Sequence, residues 1–392
     1  MPGRPLRIIY SFPHAVGRAG IGTTAFNQLR GAIRQGIEIE LYCTSLESEL
    51  PGLHGLVETL SIAGRRVPHR LIGVDRAYRY HDWRVARSLE RRHGRVDLIH
   101  CWPASSLATM RAARRLGIPT AREVPNTHTG YAFEIAARET AALGLEPLRG
   151  HSHTFDAELL AREESEYELA NLLLVPSAFS LRTFRDRGLP PEKLALHHYG
   201  FDPNSFYTDR IALRDSGVRA VFVGACEPRK GLHYALKAWV ESGAASTGCF
   251  VICGSFVPGY REALDRWLSH PSVEVVGFSD DPGELMRKSD ILLFPTVEEG
   301  SALVTYEAQA SGCALLVSDA AGARCEHLRE GLVHQAGDLA ALTAHLRLID
   351  GDRDLLLRLR KGAAANSAGL TWDHAAAELK AVYANLAARP AT

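Results

Sequence analysis

The stretch that decides the fold is ILLFPTVEEGSALVTYE, from Ile291 to Glu307. An apolar run, a short polar turn and a new helical pattern predict a strand-to-helix connection. If the helix begins near Ser301, its first backbone N–H groups point into the turn and carry partial positive charge, which suits a phosphate. Glu299 then lies in the loop beside that phosphate, and Glu307 lies about two turns along the helix. The competing interpretation is an acidic loop followed by a solvated helix face.

A second turn of the same kind lies far upstream. The run from Val218 to Gly224 reads as a short buried strand, and a helical pattern begins at Leu232. The glycine at the strand end permits close backbone approach to a phosphate. Arg229 and Lys230, in the segment Glu-Pro-Arg-Lys-Gly, supply the fixed positive charge that a pyrophosphate leaving group needs.

Together the two turns resemble those of the family 4 retaining glycosyltransferases. That resemblance implies an α/β chain with the GT-B fold, in which two Rossmann-like, doubly wound parallel-sheet domains face a central cleft. It extends over nearly the whole chain. Further matching segments are Pro176–Phe179, Tyr199–Asp202 with Phe206, Gly277–Phe278 before Ser289–Asp290, Ala310–Gly312, and Gly322 with Glu326.

Short apolar strands alternate with helical patterns throughout, which is typical of parallel βαβ units. The strands predicted in the first half are Arg7 to Phe12, Glu38 to Cys43, Leu98 to Trp102, Ile118 to Val124, Leu172 to Val175 and Leu194 to His198. In the second half a strand begins at Val218, and others lie near Phe250, Val273, Ile291 and Ala314. We expect a boundary near residues 205–215, with an acceptor-side domain over 1–207 and a nucleotide-sugar domain over 208–371. A last helix after Thr371 resembles the terminal helix of the GT-B fold, which crosses back onto the first domain. Residues 372–392 are therefore predicted to complete that domain.

The resemblance also implies roles for the polar residues. Lys230 and Arg229 would stabilise the charge on the departing nucleoside diphosphate, and Glu299 would contact hydroxyls of the transferred sugar. Glu307 would accept hydrogen bonds from the ribose, because a carboxylate can accept from two hydroxyls. His128, shortly after the predicted strand Ile118 to Val124, would face the donor sugar across the cleft.

A glycine-rich turn follows the first predicted strand. Gly20 and Gly22 precede a helix expected near Thr23 or Thr24, and they would bring backbone N–H groups close to phosphate or acceptor. The pattern differs from the dinucleotide fingerprint. The other predicted donor contacts are Gly224, Phe278 (against the base), Ser301, Ala302 and Leu303.

No metal site is predicted. Asp280-Asp281 reads as a helix N-cap rather than as a metal-binding pair, and the seven cysteines lack C-x-x-C spacing. They read as small buried side chains in a reducing compartment. The histidines His100, His151 and His153 are weaker candidates for substrate contact.

The formal charge is balanced overall but not along the chain. Residues 1–150 hold 21 Arg, no Lys and 13 acidic residues, a net charge of +8, and the remainder carries −8. This basic half would favour an anionic acceptor or lipid headgroups, although solvated helix faces explain it equally well. The arginines concerned are Arg65, Arg66, Arg70, Arg91, Arg92, Arg95, Arg111, Arg114 and Arg115.

The apolar stretch near the N-terminus is too short for the hydrophobic region of a signal peptide. No stretch approaches the ~20 apolar residues of a membrane span. The expected location is therefore the cytoplasm, with peripheral contact at the inner face of the membrane as an option. Without a nucleic-acid-binding motif, DNA and RNA are not expected partners.

The predicted function is metal-independent, retaining transfer of a sugar from a nucleotide-sugar donor to a hydroxyl of a glycan, lipid-linked saccharide or small metabolite. No cofactor is implied, since the donor is a substrate, and UDP-, GDP- and ADP-sugars all stay open. The alternatives are an inactive homologue acting as a partner subunit, and a GT-B sugar-nucleotide epimerase or sugar-phosphate synthase.

Overall fold

Parallel strands and covering helices make up most of the protein. The computed structural model describes residues 4–62, 65–66, 73–91, 94–148, 150–209, 211–213 and 217–389. The predicted α/β class is confirmed, since the main strand pairings are parallel. The strands are β1 Arg7–Ser11, β2 Ala15–Val16, β3 Glu38–Cys43, β4 Ser45–Leu46, β5 Gly55–Glu58, β6 Ser61–Ile62, β7 Arg65–Arg66, β8 Leu98–Cys101, β9 Thr120–Glu123, β10 Leu172–Val175, β11 Leu194–Leu196, β12 Arg219–Val223, β13 Cys249–Cys253, β14 Val273–Gly277, β15 Ile291–Phe294, β16 Ala314–Ser318 and β17 Gly331–His334.

The helices range from 4 to 17 residues and lie mostly between successive strands. The helices are α1 Ile21–Arg34, α2 Val74–Glu90, α3 Leu107–Arg115, α4 Thr129–Ala142, α5 Ala157–Leu169, α6 Ala178–Arg185, α7 Leu232–Ser242, α8 Tyr260–Ala263, α9 Asp265–Leu268, α10 Pro282–Arg287, α11 Leu303–Ala310, α12 Leu339–Gly351, α13 Arg353–Ser367 and α14 Trp372–Ala387.

Two separate sheets form the core of the chain. Among the described strands, the first sheet has the order β11-β10-β9-β8-β1-β3-β5 and the second has the order β14-β13-β12-β15-β16-β17. We call the first sheet with α1–α6 the N-terminal domain, and the second with α7–α13 the C-terminal domain. In each sheet the strand order reverses next to the first strand, β1 or β12, which is the arrangement that places ligands beyond the carboxyl ends of the strands.

The central strands match their sequence prediction because they are buried on both faces. Strands β8, β10, β15 and β16 are buried along their whole length, and such strands read as continuous apolar runs. The sequence analysis missed the edge strands β5 and β17, as well as the two-residue strands. Edge strands are covered on fewer sides, so their apolar pattern is weaker.

The last helix, α14, packs on α1 of the N-terminal domain. Leu379, Tyr383 and Leu386 of α14 belong to the same buried cluster as residues of β1 and β3. Gly31 of α1 makes this close packing possible, since a Cβ there would lie 2.7 Å from the Cβ of Ala376. The helix thus returns to the first domain, while the exact boundaries at residues 207 and 371 stay predictions.

Buried tryptophans anchor both domains. Trp102 and Trp239 are 1% and 0% exposed, so both are packing residues. Among the described helices, none combines the length and the apolar composition that crossing a membrane requires. Arg70 and Arg92 of the predicted basic surface lie outside the described residues, as do the side chains of Arg65 and Arg66.

Candidate active site

The carboxyl ends of β9 and β15 meet where the two domains touch. The loop after β15 is buried, and its Gly300 lies so close to the loop after β9 that a Cβ would come within 2.0 Å of the Pro125 carbonyl oxygen. Thr127 Oγ1 donates a 2.6 Å hydrogen bond to Glu298. Ser177 also donates from its hydroxyl to the Gly300 carbonyl. The acidic turn of the C-terminal domain is therefore held against the N-terminal domain.

The cationic turn lies directly beside this acidic turn. After β12, Pro228–Lys230 form one turn of 3₁₀ helix, and Gly231 follows with φ +72° before α7 begins. A Cβ at Gly231 would come within 2.0 Å of the Pro295 carbonyl oxygen at the end of β15. Only glycine allows both the left-handed backbone and this approach, which brings Arg229 and Lys230 to the acidic loop.

Arg229 is the centre of a buried ion-pair cluster. Its Nε lies 2.8 Å from Glu227, and its Nη1 lies 3.0 Å from Glu298 and 3.3 Å from Glu299. The residue is only 8% exposed. Since three carboxylates surround it, the guanidinium primarily orients the acidic loop, and the sequence analysis did not foresee this arrangement.

Lys230 makes a direct ion pair with Glu299. Burial, followed by repulsion from Arg229, lowers the pKa of Lys230 to about 7. A nearby anion stabilises the charged form of such a lysine. An incoming phosphate would therefore compete with Glu299 for the ammonium group. Three predicted site residues, Arg229, Lys230 and Glu299, are thus brought together by the structure.

The helix after the acidic turn, α11, begins two residues later than expected. Its N-cap is Ala302, which provides no side-chain cap, and the first helical residue is Leu303. Ser301 Oγ hydrogen-bonds to the Gly322 carbonyl, and Ala302 N–H donates to the Ala321 carbonyl. These two groups are therefore used within the protein. The free N–H groups of the helix start at Leu303.

Glu307 lies on α11, and its side chain is partly buried. Within the described part of the chain no hydrogen bond or ion pair joins that side chain to another residue. Burial raises the pKa of this carboxyl to about 7. Such a carboxylate is poised to accept hydrogen bonds from ligand hydroxyls.

Glycines shape two further turns that follow strands. Gly20 is the N-cap of α1, which begins at Ile21 rather than near Thr23, and no side chain caps it. A Cβ at Gly22 would come within 2.4 Å of the Ala15 carbonyl oxygen, so glycine is required there. In the C-terminal domain, Gly224 follows β12 with φ +148°.

Phe278, the residue expected against the base, is 76% exposed and follows β14. Its ring is therefore accessible to a flat ligand.

Asp281 caps α10 by accepting a hydrogen bond from Glu284 N–H, which confirms the N-cap interpretation of Asp280-Asp281.

His128 lies at the start of α4 and makes its contacts within the N-terminal domain. Its Nδ1 accepts a hydrogen bond from Gly130 N–H, and its ring lies 5.2 Å from Tyr167 and 5.3 Å from Phe184. Burial lowers its pKa to about 4. These contacts make the imidazole an N-cap of α4, and its contact with the donor sugar stays a prediction.

The two weaker candidates His151 and His153 lie closer to the cluster than His128 does. His151 Nε2 is 3.3 Å from Glu227, and His153 Nε2 is 3.9 Å from Glu298. His100 instead lies in the buried interior of the N-terminal domain, 3.5 Å from Glu123. The sequence analysis gave no role to Glu227 or Glu298, although Glu227 opens the segment Glu-Pro-Arg-Lys-Gly and Glu298 directly precedes Glu299.

Comparison with known proteins supports the architecture. The sequence profile of the glycosyl transferases group 1 matches residues 217–350, and that of Glycosyltransferase Family 4 matches residues 18–205. Sucrose-phosphate synthase from Thermosynechococcus elongatus is similar in structure, with a TM-score of 0.70 at 15% identity, over 98% of this chain and 99% of that one. Anabaena HepE in complex with UDP-glucose gives a TM-score of 0.66 at 15% identity, over 97% and 100%.

Relatives found by sequence similarity match shorter segments of this chain than the solved structures do. A D-inositol 3-phosphate glycosyltransferase of Jonesia denitrificans is 33% identical over 100 residues, which is 25% of this chain and 24% of that protein. A UDP-Gal:alpha-D-GlcNAc-diphosphoundecaprenol alpha-1,3-galactosyltransferase of Escherichia coli is 23% identical over 67% of this chain and 68% of its own. The chain thus spans about a quarter of the first relative's length. With both profiles matched in order and the two-sheet architecture shared, the chain belongs to the group 1, family 4 glycosyltransferases of the GT-B fold.

Proposed function

We propose that this protein transfers a sugar from a nucleotide-sugar donor to a hydroxyl acceptor, with retention of configuration and without a metal ion. One observation carries the proposal. Lys230 and Glu299 form an ion pair in the cleft, next to the uncapped start of α11, and Glu307 on the same helix has no hydrogen bond or ion pair with any other described residue. A cation, a helix N-terminus and two carboxylates correspond to the phosphates, sugar and ribose of one donor.

Lys230 supports the departure of the leaving group. As the bond between the sugar C1 and the β-phosphate oxygen breaks, that oxygen gains charge. Lys230 would turn from Glu299 to the phosphate, while Arg229 stays paired with Glu298 and holds the loop. Glu299, released from the ammonium group, would then accept hydrogen bonds from sugar hydroxyls.

Retention follows from where the acceptor attacks. In the proposed step the acceptor oxygen bonds to C1 on the face from which the phosphate leaves, and its proton passes to the departing phosphate oxygen. The described residues around Lys230 include no side chain that we assign as a covalent nucleophile. Transfer with the anomer of the donor preserved would support this step, and an inverted product, seen by NMR of the anomeric proton, would refute it.

A thermal-shift panel tests the donor class. UDP, GDP and ADP, with their sugars, would be added to the protein in parallel. A ligand at 100 times its dissociation constant stabilises the folded protein by ~2.7 kcal/mol. A shift with one nucleoside diphosphate identifies the base. No shift with any of them would refute nucleotide-sugar binding and favour the inactive-homologue alternative.

We also propose peripheral contact with an anionic membrane surface, through helix α2. Trp83 and Tyr80 are 51% and 40% exposed, with stacked rings 5.7 Å apart, and Arg84 lies over the Tyr80 ring. Exposed aromatic rings beside arginines suit the headgroup region of a lipid bilayer. This contact would supply a lipid-linked acceptor and would place the protein at the cytoplasmic face.

Vesicle sedimentation tests this surface. Trp83→Ala should reduce binding to vesicles with anionic lipid, whereas Tyr207→Ala, a matched change at a residue that is 45% exposed near the C-terminal domain, should not. Equal binding to zwitterionic vesicles, or equal losses in both variants, would refute the proposal.

A further inference from the structure

The segment between α4 and α5 brings two histidines of the N-terminal domain against a carboxylate of the C-terminal domain. His151, His153 and Glu227 each offer one ligand atom, and these atoms lie within 4.8 Å of one another. In the described part of the chain this is the one group of three such side chains with that spacing. The residues line a cavity of about 170 Å³, which has room for an ion and its water.

We propose that His151, His153 and Glu227 bind a zinc-type divalent transition metal ion that bridges the two domains. This site is separate from the proposed transfer chemistry, which needs no metal, and it goes beyond that function. Two imidazoles and a carboxylate are a donor set for Zn²⁺ rather than for Mg²⁺ or Ca²⁺, which prefer oxygen ligands alone. Three protein ligands leave the fourth tetrahedral position to water.

The histidines are prepared for this role. A neutral imidazole coordinates through one ring nitrogen, and the partner of the other nitrogen sets which one. In His153, Nδ1 lies 3.0 Å from Ser152 Oγ, which leaves Nε2 as the coordinating atom. For His151, coordination through Nε2 requires a proton on Nδ1, so its long 3.4 Å contact with His153 N–H would be given up.

The local charge also favours a cation. Three carboxylates, Glu227, Glu298 and Glu299, face the two cations Arg229 and Lys230 in this cluster. Glu227 contacts Arg229 through one oxygen and His151 through the other, so one carboxylate can serve both the cluster and the ion. Since the histidines and Glu227 come from different domains, the bound ion would restrain the opening of the cleft.

Calorimetric titration with ZnCl₂ tests the site in the full-length protein, which is first stripped with a chelator. We expect one ion per chain and a higher melting temperature with zinc. His153→Ala and Glu227→Gln should each weaken zinc binding by at least about tenfold, since even outer-shell partners of a metal are worth that much. Circular dichroism without zinc should show that both variants are folded.

The matched control is His345→Ala. His345 belongs to a second histidine cluster, with ring centroids 5.5 Å from His327 and 5.8 Å from His334, and its loss should leave zinc binding unchanged. Absence of zinc binding in the unmodified protein would overturn the proposal, as would weaker zinc binding in His345→Ala. If zinc binding weakens in His153→Ala but not in Glu227→Gln, the proposal that the ion bridges the two domains is overturned.

Discussion

Replacing Glu307 by Gln should stabilise the free protein while weakening nucleotide binding. The carboxylate is partly buried and has no partner in the described part of the chain, so the folded state bears the cost of removing its charge from water. Burial raises its pKa from 4.5 to about 7. Glutamine keeps the size of the side chain and carries no charge.

The magnitude follows from the two pKa values. A rise of two to three pKa units corresponds to about 3 kcal/mol, since each unit is worth about 1.36 kcal/mol. Glu307 keeps some contact with solvent, so we expect a gain of about 2 kcal/mol for Glu307→Gln at pH 8. The folded state holds the proton more tightly than the unfolded chain. The destabilising effect of Glu307 is thus absent below pH 4.5, grows between pH 4.5 and 7, and is complete above pH 7.

Urea denaturation of both proteins at pH 5 and pH 8 measures this difference. The stability gain should be small at pH 5 and full at pH 8, whereas Glu262→Gln, at an exposed position of α8, should change neither value. In parallel, calorimetric titration of the nucleoside diphosphate should show affinity about tenfold weaker for Glu307→Gln, because a charge-assisted hydrogen bond becomes a neutral one. A gain that is equal at both pH values, or unchanged nucleotide affinity, would refute the reasoning.

Four further outcomes are expected. Lys230→Ala should keep the fold and lower turnover by ~10²-fold or more, measured as nucleoside diphosphate release; wild-type-like rates would contradict the phosphate contact. Activity should survive EDTA; loss on chelation that Mg²⁺ or Mn²⁺ restores would show a metal requirement. Glu299→Gln should lower kcat with nearly unchanged nucleoside diphosphate affinity by calorimetry, and an affinity loss matching that of Glu307→Gln would mean that the roles are misassigned. Gly31→Val should lower the melting temperature, because its side chain meets Ala376; an unchanged value would argue against tight packing of α14 on α1.

Part of the candidate site could be predicted because each of its two turns is local. Glycine, proline and charged residues directly after a strand indicate Arg229, Lys230 and Glu299 as candidates, and the resemblance of the two turns to the family 4 glycosyltransferases implied a role for each. Glu227 and Glu298 were given no role, since a carboxylate in or beside such a turn has many ordinary uses. Their role appears only when Arg229 is seen between them.

The histidines show the limit of local reasoning most clearly. His128 follows a strand and was therefore favoured, yet its contacts lie within its own domain. His151 and His153 lie in an irregular segment without a periodic pattern, so nothing in the neighbouring residues indicates which way they face. Packing of that segment against the C-terminal domain brings them to the cluster.

The amino-acid sequence by itself determined the α/β class and the positions of the central strands, because periodicity and apolar runs are properties of neighbouring residues. The return of α14 to the first domain was instead expected from the resemblance to the GT-B fold. Only the tertiary structure decided which charges meet. Residues from the ends of β9, β12 and β15 are distant in the chain, and the packing of two domains sets their distances. Burial at that junction then lowers the pKa of Lys230 and raises that of Glu307, since desolvation depends on everything packed around a group.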